Sequence, residues 1–270
     1  MMEHKVLIMG ILNVTPDSFS DGGQWNSDLA LTARIEQLLA DGADIIDVGG
    51  ESTRPFAEPV RADEELARVL PAIWKIRERS DIPISIDTTK AMVARRALAA
   101  GATMINDISA LRHDPEMIDV VRSSSGPVII MHMQNTPGDM QVAPRYDNVV
   151  VEINDFFVER IGWMESQGIS RGRIIVDPGI GFGKNLEHNL SILRNIQAFK
   201  HHGCPVLIGH SRKSFLGQLL NIPLAERDCP TALVSAFCAQ QDADILRVHD
   251  VRSTLQAIKL TTAFTQLSSI

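Results

Sequence analysis

Short runs of apolar residues recur along the chain, and segments with helical periodicity separate them. We count about eight such runs, at residues 6–12, 44–48, 83–86, 103–105, 127–131, 173–176, 205–208 and 244–248. Most of them are apolar at consecutive positions, which is typical of parallel strands covered on both faces. The pattern therefore predicts repeated βα units and a parallel sheet.

The segments between these runs carry apolar residues three or four positions apart. One such stripe comprises Leu31, Ile35, Leu38 and Leu39, and Gly42 follows it as a helix stop. Further stripes comprise Leu66, Val69, Leu70 and Ile73, then Ile153, Phe157, Ile161 and Met164 before Gly168, and Leu186, Leu190 and Leu193 before Gly203. We expect these stripes to be the core-facing sides of helices, with Glu64 and Arg68 as an ion pair one turn apart.

Eight βα units can close into a barrel or lie open as a doubly wound sheet. The first apolar run is not followed by the G-x-G-x-x-G sequence of dinucleotide-binding sheets, which favours the barrel. We therefore predict an α/β fold, a (β/α)8 TIM barrel, with residues 1–270 as a single domain. In such barrels the active site lies at the C-terminal rim of the strands.

Composition narrows the choice of partners and compartment. A chain of 270 residues suits one barrel, and its net charge of -7 argues against nucleic acid as a partner. Cys204, Cys229 and Cys238 are odd in number and lack metal-like spacing, which predicts reduced thiols in a cytoplasmic protein. Residues 13–17 interrupt the apolar start, and no run approaches the roughly 18 residues of a membrane span. We expect neither a signal peptide nor a membrane partner.

A glycine-rich loop follows the sixth apolar run, at residues 177–184 (DPGIGFGK). It is not a Walker A loop, because Pro178 occupies the first glycine position and Asn185 follows Lys184. Its glycines are spaced by twos, which also excludes the dinucleotide fingerprint. The loop is therefore expected to shape a pocket of another kind.

Polar residues stand at nearly every predicted strand end. They occur at residues 13–23, 49–55, 87, 106–107, 132–133, 177, 209–213 and 247–250. Because parallel strand ends meet at one rim of a barrel, this convergence predicts a ligand site.

The rim residues divide by their hydrogen-bonding chemistry. The side chains of Asp87, Asn106 and Asp177 suit a heterocycle that carries several N–H groups. The other rim residues are hydrogen-bond donors that suit an anion, namely Lys213, Arg247 and His249. The arginine can bind phosphate in a bidentate manner. The pattern indicates a ligand with a heteroaromatic end and an anionic end.

Several of these polar residues also have a simpler structural explanation. Arg247 and Asp250 can form a salt bridge at the rim. His132 and His249 can be structural histidines. Asp47 and Asp107 can cap helices or pair with arginine, and Asp177 can stabilise a turn.

Taken together, the motifs closely resemble those of the dihydropteroate synthases of the folate pathway. They follow the family order over nearly the whole chain, at residues 9–23 (MGILNVTPDSFSDGG), 47–55 (DVGGESTRP), 85–88 (SIDT), 105–108 (INDI), 131–134 (MHMQ), 177–184, 211–214 (SRKS) and 247–250 (RVHD). As a set these motifs are highly specific, although any one of them alone is weak.

The resemblance implies a sulfonamide-target transferase that condenses 6-hydroxymethyl-7,8-dihydropterin diphosphate with 4-aminobenzoate, giving 7,8-dihydropteroate and diphosphate. It also implies a homodimer and a Mg²⁺ ion contacted by Asn13. The implied pterin-binding residues are Asp87, Asn106, Ile108, Met131, Asp177 and Lys213. Those for the diphosphate are Asn13, Thr53, Arg247 and His249, and those for 4-aminobenzoate are Arg54, Pro55, Gly181, Phe182, Ser211 and Arg212. Of these, the expected catalytic residues are Asp87, Asp177, Lys213, Arg247 and His249.

The implied mechanism is a dissociative substitution at the pterin methylene carbon, with charge stabilisation as its main source of rate. Loops 14–23 and 52–60 are expected to act as lids that exclude water. Family members often carry a leading hairpin across the barrel floor, whereas only residues 1–5 precede the first run here.

Three other functions remain as alternatives. A methyltetrahydrofolate-dependent methyltransferase shares the pterin pocket but does not need residues that bind diphosphate. A non-catalytic pterin-binding relative is expected to lack the lid residues or Lys213. A metal-dependent hydrolase needs paired histidines on the first strand, where Asn13 stands instead.

Overall fold

Eight parallel strands form one sheet that curls into a barrel in the computed structural model, which describes residues 5–15, 23–52, 59–134, 140 and 144–266. The strands are β1 (Leu7–Asn13), β2 (Ile45–Gly49), β3 (Ile84–Asp87), β4 (Met104–Asp107), β5 (Val128–Met131), β6 (Ile174–Asp177), β7 (Leu207–Ile208) and β8 (Ile245–Val248). They are hydrogen-bonded in the order β6-β5-β4-β3-β2-β1-β8-β7. A parallel bridge between Val176 and Val206 joins the two ends of this sheet. The prediction of a TIM barrel is confirmed.

Helices follow the strands around the outside of the barrel. Within the described residues the α-helices are α1 (Gly23–Ala40), α2 (Ala62–Arg77), α3 (Ala91–Ala99), α4 (Met117–Ser123), α5 (Val149–Ser166), α6 (Leu186–Arg194), α7 (Ser214–Leu220), α8 (Asp228–Gln240) and α9 (Val251–Gln266). Short 3-10 segments lie at Arg171–Arg173, Ile196–His202 and Leu224–Glu226. None of the described helices is long and apolar enough to cross a membrane.

The predicted helical stripes face the core. On α5, Ile153, Phe157, Ile161 and Met164 are all buried against the outer face of the barrel. Glu64 and Arg68 form the expected ion pair on α2. The stripe of Leu186, Leu190 and Leu193 lies on α6, which ends at Arg194, and a separate 3-10 segment from Ile196 to His202 precedes Gly203. The Asn195 side chain donates to the Ser191 carbonyl at 2.8 Å, so it competes for a helix acceptor at this break.

Several strands extend one or two residues further than their apolar runs. Asp87 pairs in register with Asn106, and Met131 with Asp177. An apolar run stops at the first polar side chain, whereas the backbone ladder continues through it. As a result, several polar rim residues lie within the hydrogen-bonded sheet and are held rigidly.

Two separate apolar cores explain the consecutive apolar residues of the strands. Alternate residues such as Ile46 and Val48 of β2 pack outward against the helices. The intervening residues form an inner cluster with one member from seven of the eight strands, namely Met9, Ile45, Met104, Ile129, Ile175, Leu207 and Ile245. The barrel is thus filled at mid-height, as expected for this fold. Inward-facing residues nearer the strand ends lie above that layer.

Candidate active site

The alternation of side chains along each strand determines which polar residues enter the barrel. In β2, Ile45 belongs to the inner apolar cluster, so Asp47 and Gly49 also face inward. The same alternation applies to other strands. Asn106 lies two residues after the inward-facing Met104, and Asp177 lies two residues after Ile175. Arg247 and His249 lie two and four residues after Ile245, so all of these side chains also face inward. The upper barrel is therefore lined by polar side chains that stand directly on an apolar layer.

Arg247 lies at the centre of this polar layer. Its Nε donates to Asp47 Oδ2 at 2.6 Å, and one terminal NH₂ group donates to Asp87 Oδ2 at 2.8 Å. Burial opposes the arginine charge, but the two carboxylates outweigh it and raise the pKa of Arg247. The simpler rim pair with Asp250 is not what the structure shows, because Asp250 Oδ1 accepts the backbone N–H of Ser253 at the start of α9.

Asp47 is a site residue that the sequence left among the structural acids. It is fully buried, and its Oδ2 also accepts the side-chain amide of Asn106 at 3.2 Å. One carboxylate therefore orients both the arginine and the asparagine. Removing one partner of such a buried pair typically costs about 3–5 kcal/mol, because the other charge is left uncompensated. The sequence indicates this role only by spacing, because Asp47 lies within an apolar run and comes two residues after the inward-facing Ile45.

Asp87 and Asp177 have pKa values shifted toward neutrality. Burial raises the pKa of Asp87 to about 7 against the opposing charge of Arg247, with the nearby acid Asp47 adding to the rise. Burial likewise raises the pKa of Asp177 to about 6, opposed by a backbone hydrogen bond from Gly179 and by Lys213. The Gly179 N–H donates to Asp177 Oδ1 at 2.7 Å, so the expected turn chemistry is present as well. Shifts of this kind are frequent at functional sites.

Lys213 lies over the ring of Phe182. Its Nζ is 3.9 Å from the ring centroid, a cation–π geometry. Burial and the charge of Arg247 lower the pKa of Lys213 to about 8, while Asp177 and Asp87 oppose this. A lysine with a lowered pKa is thus held between an aromatic face and the rim carboxylates.

A small apolar cluster lies beside the polar layer. Its members are Ile108, Met131, Met133, Met140 and Phe182, and all five are buried. The cluster is separate from the two cores of the barrel, so it offers an apolar surface at the rim itself. Ile108 and Met131, which the resemblance assigns to the pterin, lie together here with Phe182, which it assigns to the 4-aminobenzoate.

His249 is surrounded by cations. Burial first, and then the charges of Arg212, Arg247, Arg34 and Lys213, lower the pKa of His249 to about 3. The ring is therefore neutral near pH 7. Its Nδ1 lies 2.9 Å from Ser211 Oγ, and its backbone carbonyl accepts from Arg34 of α1 at 2.5 Å. Sequence reasoning missed Arg34, since an arginine within an outer helix carries no local signal of a site.

Other residues of the loop before α7 take up structural contacts. Arg212 has a positive φ of 58° and binds the carboxylate of Asp228 through two hydrogen bonds of 2.5 and 2.7 Å. His210 is fully buried, and its Nε2 lies 3.2 Å from the Thr231 carbonyl and 2.9 Å from Ser235 Oγ. Both residues tie the loop before α7 to α8. Asp107 likewise stabilises a turn, by accepting the backbone N–H groups of Ser109 and Leu111.

Asn13 ends β1 beside Asp87. A Cβ built on Gly49 would lie 3.5 Å from Asn13 Oδ1 and 3.6 Å from the Asp87 carboxylate, so both side chains approach the same point of β2. The structure does not describe Thr53, Arg54 and Pro55, nor most of loops 14–23 and 52–60. Among the residues that it does describe, no group of three or more His, Cys, Asp or Glu side chains could hold a metal ion.

Comparisons with known proteins identify the family of the chain. Residues 9–249 match the model of the family described as pterin binding enzyme. The dihydropteroate synthase of Escherichia coli K12 is 46% identical over 256 residues, covering 95% of this chain and 90% of the relative.

Two solved structures resemble the chain closely. The dihydropteroate synthase of Yersinia pestis, solved with a sulfonamide drug, superposes with a TM-score of 0.90 at 44% identity, covering 97% of this chain and 94% of that one. The dihydropteroate synthase of Xanthomonas albilineans, solved with 4-aminobenzoic acid, superposes with a TM-score of 0.90 at 43% identity, covering 98% and 94%. The chain therefore belongs to the pterin-binding enzyme family, and within that family to the dihydropteroate synthases.

Proposed function

We propose that the rim of the barrel binds 6-hydroxymethyl-7,8-dihydropterin diphosphate and 4-aminobenzoate and joins them as 7,8-dihydropteroate, releasing diphosphate. The observation that carries the proposal is the buried Arg247 between Asp47 and Asp87. This arginine divides the site into an acidic half and a cationic half, which matches a substrate with a heterocycle at one end and an anion at the other. The named relatives support the synthase over a methyltransferase.

The acidic half suits the pterin. We assign Asp87, Asn106 and Asp177 as the groups that bind its ring N–H and amino groups, because carboxylate and amide oxygens are acceptors of the right kind. Ile108 and Met131 provide apolar contact with the ring faces, and both are buried at the rim. Lys213 donates to ring acceptors, and its charge lies close enough to Asp177 to affect the pKa of that acid.

The cationic half suits the diphosphate. Arg247 offers a guanidinium whose pKa is raised by its carboxylate partners, so it stays charged throughout the reaction. The neutral His249 contributes a hydrogen bond through the ring nitrogen that does not face Ser211, and Arg34 and Arg212 add positive potential nearby. We expect Thr53 to complete this half and Arg54, Pro55, Gly181, Phe182, Ser211 and Arg212 to border the 4-aminobenzoate.

The chemistry follows from this division. The bond between the pterin methylene carbon and the diphosphate oxygen breaks, and Arg247 and His249 stabilise the charge that develops on the leaving group. Asp87 and Asp177 stabilise the cationic pterin through their negative charge. The amine of 4-aminobenzoate then attacks the methylene carbon and loses a proton. Since the arylamine is already nucleophilic, no serine or cysteine nucleophile is required.

Asn13 is our candidate for contact with Mg²⁺. Its amide oxygen is a ligand type that Mg²⁺ accepts, and the ion usually completes its shell with waters and substrate phosphate oxygens. A site with few protein ligands therefore fits this ion. When bound, the ion would neutralise charge on the leaving diphosphate.

A homodimer is our proposal for the assembly, in a cytoplasmic setting. Leu190 and Leu193 of α6, Leu219 of α7, and Leu233 and Phe237 of α8 line one apolar groove on the outside of the barrel. Leu233 is 65% exposed in the single chain, and Leu219 is 53% exposed. Contiguous apolar surface of this kind marks interaction sites, and a second copy of the chain is the occupant we propose.

The purified chain is expected to release diphosphate from the pterin substrate in a manner that depends on 4-aminobenzoate and Mg²⁺. A coupled diphosphate assay with each component omitted in turn measures this directly. Release that does not depend on 4-aminobenzoate would contradict the proposed condensation.

The Asp47→Asn variant is expected to lower kcat/KM for the pterin diphosphate by about 10- to 100-fold, because a misplaced arginine and asparagine weaken both halves of the site. Steady-state kinetics measure the change. Asp44→Asn is the matched control, since Asp44 pairs with Lys5 at the opposite end of the barrel. Equal effects of the two variants would mean that Asp47 acts only through general stability.

The pH profile of kcat/KM for the pterin diphosphate is expected to be bell-shaped. Activity falls on the acid side as Asp87, with a pKa of about 7, and Asp177, with a pKa of about 6, become protonated and lose acceptor capacity. It falls on the alkaline side as Lys213, with a pKa of about 8, loses its proton. Because kcat/KM reports groups of the free enzyme, a flat profile between about pH 5 and 9 would argue against these assignments.

Leu233→Glu is expected to shift the chain toward monomers, because it places a charge in the apolar groove. Sedimentation equilibrium at micromolar concentration measures the assembly. Leu29→Glu on α1 is the control, since Leu29 is similarly exposed at 67% and lies on another helix. A monomeric wild type, or an unchanged dimer in Leu233→Glu, would count against this surface.

A further inference from the structure

The loop between β6 and α6 packs directly against the end of β5. Gly179 has a φ of 72°, and a Cβ there would lie 2.0 Å from the carbonyl oxygen of His132. Gly183 has a φ of 64°, and a Cβ there would lie 2.8 Å from the Gln134 side chain. Only glycine permits both conformations at this distance. The two rim segments are therefore in contact through their backbones.

The side chain of Lys184 runs between these two segments and is only 3% exposed. Its Nζ lies 2.9 Å from the Phe182 carbonyl oxygen, 3.3 Å from the His132 carbonyl oxygen and 3.1 Å from His132 Nδ1. An ammonium group has three N–H donors, and three acceptors surround it here. In the part of the chain that the structure describes, no carboxylate forms an ion pair with this buried amine.

Both segments that Lys184 joins contain side chains that line the proposed substrate site. His132 directly follows Met131, which belongs to the apolar rim cluster together with Phe182. The ring of Phe182 in turn lies under Lys213.

Side chains from neighbouring segments hold this loop. Asn189 Oδ1 accepts the Gly181 N–H at 2.8 Å, and the Tyr146 hydroxyl donates to the Gly183 carbonyl at 2.9 Å. Lys184 Nζ bonds the carbonyl of Phe182 itself and also that of His132.

We propose that Lys184 is a positioning residue for the condensation, whose ammonium group ties Phe182 to His132 and so sets the Phe182 ring at the 4-aminobenzoate site. This inference rests on the proposed function of the rim. Lys184 acts through Phe182 and does not touch the reacting atoms.

The protonation state of Lys184 controls the tie, that is, the hydrogen bonds from its ammonium group to Phe182 and His132. Burial, and then the charge of Lys213, lower its pKa to about 7, while Asp177 opposes the shift. His132 is neutral, with a pKa lowered to about 2 by burial and by the charges of Lys184 and Arg112, so its Nδ1 can accept. The titratable and charged groups around the amine are His132, Asp177, Lys213, Tyr146, His188 and Arg112. Above about pH 7 the neutral amine has two donors for three acceptors, so the tie weakens as pH rises.

The test compares Lys184→Met, which keeps the length of the side chain and removes its donors, with the wild type. At about pH 6, KM for 4-aminobenzoate is expected to rise about tenfold or more, and KM for the pterin diphosphate much less, because the displaced wall belongs to the second substrate. Lys200→Met is the matched control. Lys200 bonds the carboxylate of Asp244 at 2.7 and 2.8 Å at the other end of the barrel, so its loss is expected to leave both KM values unchanged.

The pH dependence separates the tie from a merely structural role. Other titrating groups are common to both proteins, so we take the ratio of KM for 4-aminobenzoate in Lys184→Met to that in the wild type. This ratio is expected to shrink between about pH 6 and 9, since the wild type loses its own ammonium over that range. If Lys184→Met does not fold, Lys184→Gln keeps two N–H donors and is expected to show a smaller increase of the same kind.

A second readout does not need activity. With methionines labelled at the methyl carbon, the NMR signal of Met131 reports the nearby Phe182 ring and is expected to move in Lys184→Met but not in Lys200→Met. An unchanged Met131 signal, an unchanged KM for 4-aminobenzoate, a ratio that is flat with pH, or an equal effect of Lys200→Met would each overturn the inference. An inactive wild type would instead contradict the proposed function, and the Met131 signal would still decide the role of Lys184.

Discussion

The buried contact of Arg247 with Asp47 and Asp87 is the interaction on which the site depends. A lone guanidinium in the upper barrel would be strongly unfavourable, as would either carboxylate without a partner. Together they place a fixed cation between acids at 2.6 and 2.8 Å. This contact also modifies the pKa shifts around it. Burial raises the pKa of Asp87 and lowers that of Lys213, and the charge of Arg247 opposes the first shift and adds to the second.

The fold makes this contact possible by stacking a polar layer on an apolar one. The inner cluster that includes Ile45, Ile175 and Ile245 fills the barrel below Asp47, Asp177 and Arg247. The polar side chains two residues further along these strands therefore face the same enclosed space and lie close to one another. Their exposure is low, so charges in this layer act on each other through protein and little water, which is the setting in which electrostatic catalysis is strongest.

Much of this organisation could be predicted from the sequence. The consecutive apolar runs predicted a parallel sheet, and the polar strand ends predicted a rim site that includes Arg247 and Asp177. The role of Asp47 could not be predicted in the same way. The sequence left Asp47 as either a helix cap or the partner of an arginine, and the identity of that arginine depends on the closure of the barrel, which brings β8 beside β1.

Other features depend on contacts between segments that are distant in sequence. Lys184 resembled the lysine of a phosphate loop, and only the packing of Gly179 against His132 shows that its amine points into backbone acceptors. The break after Arg194 coincides with a side-chain hydrogen bond from Asn195 to the Ser191 carbonyl, which apolar periodicity does not report.

The central claim is that the acidic half of the rim binds the heterocycle and the cationic half binds the anion. Calorimetric binding of a pterin without diphosphate, and of diphosphate with Mg²⁺, to Asp177→Asn and His249→Gln tests it most directly. The account predicts that Asp177→Asn weakens pterin binding and leaves diphosphate binding largely intact, and that His249→Gln does the reverse. Equal losses of both ligands in both variants would contradict it.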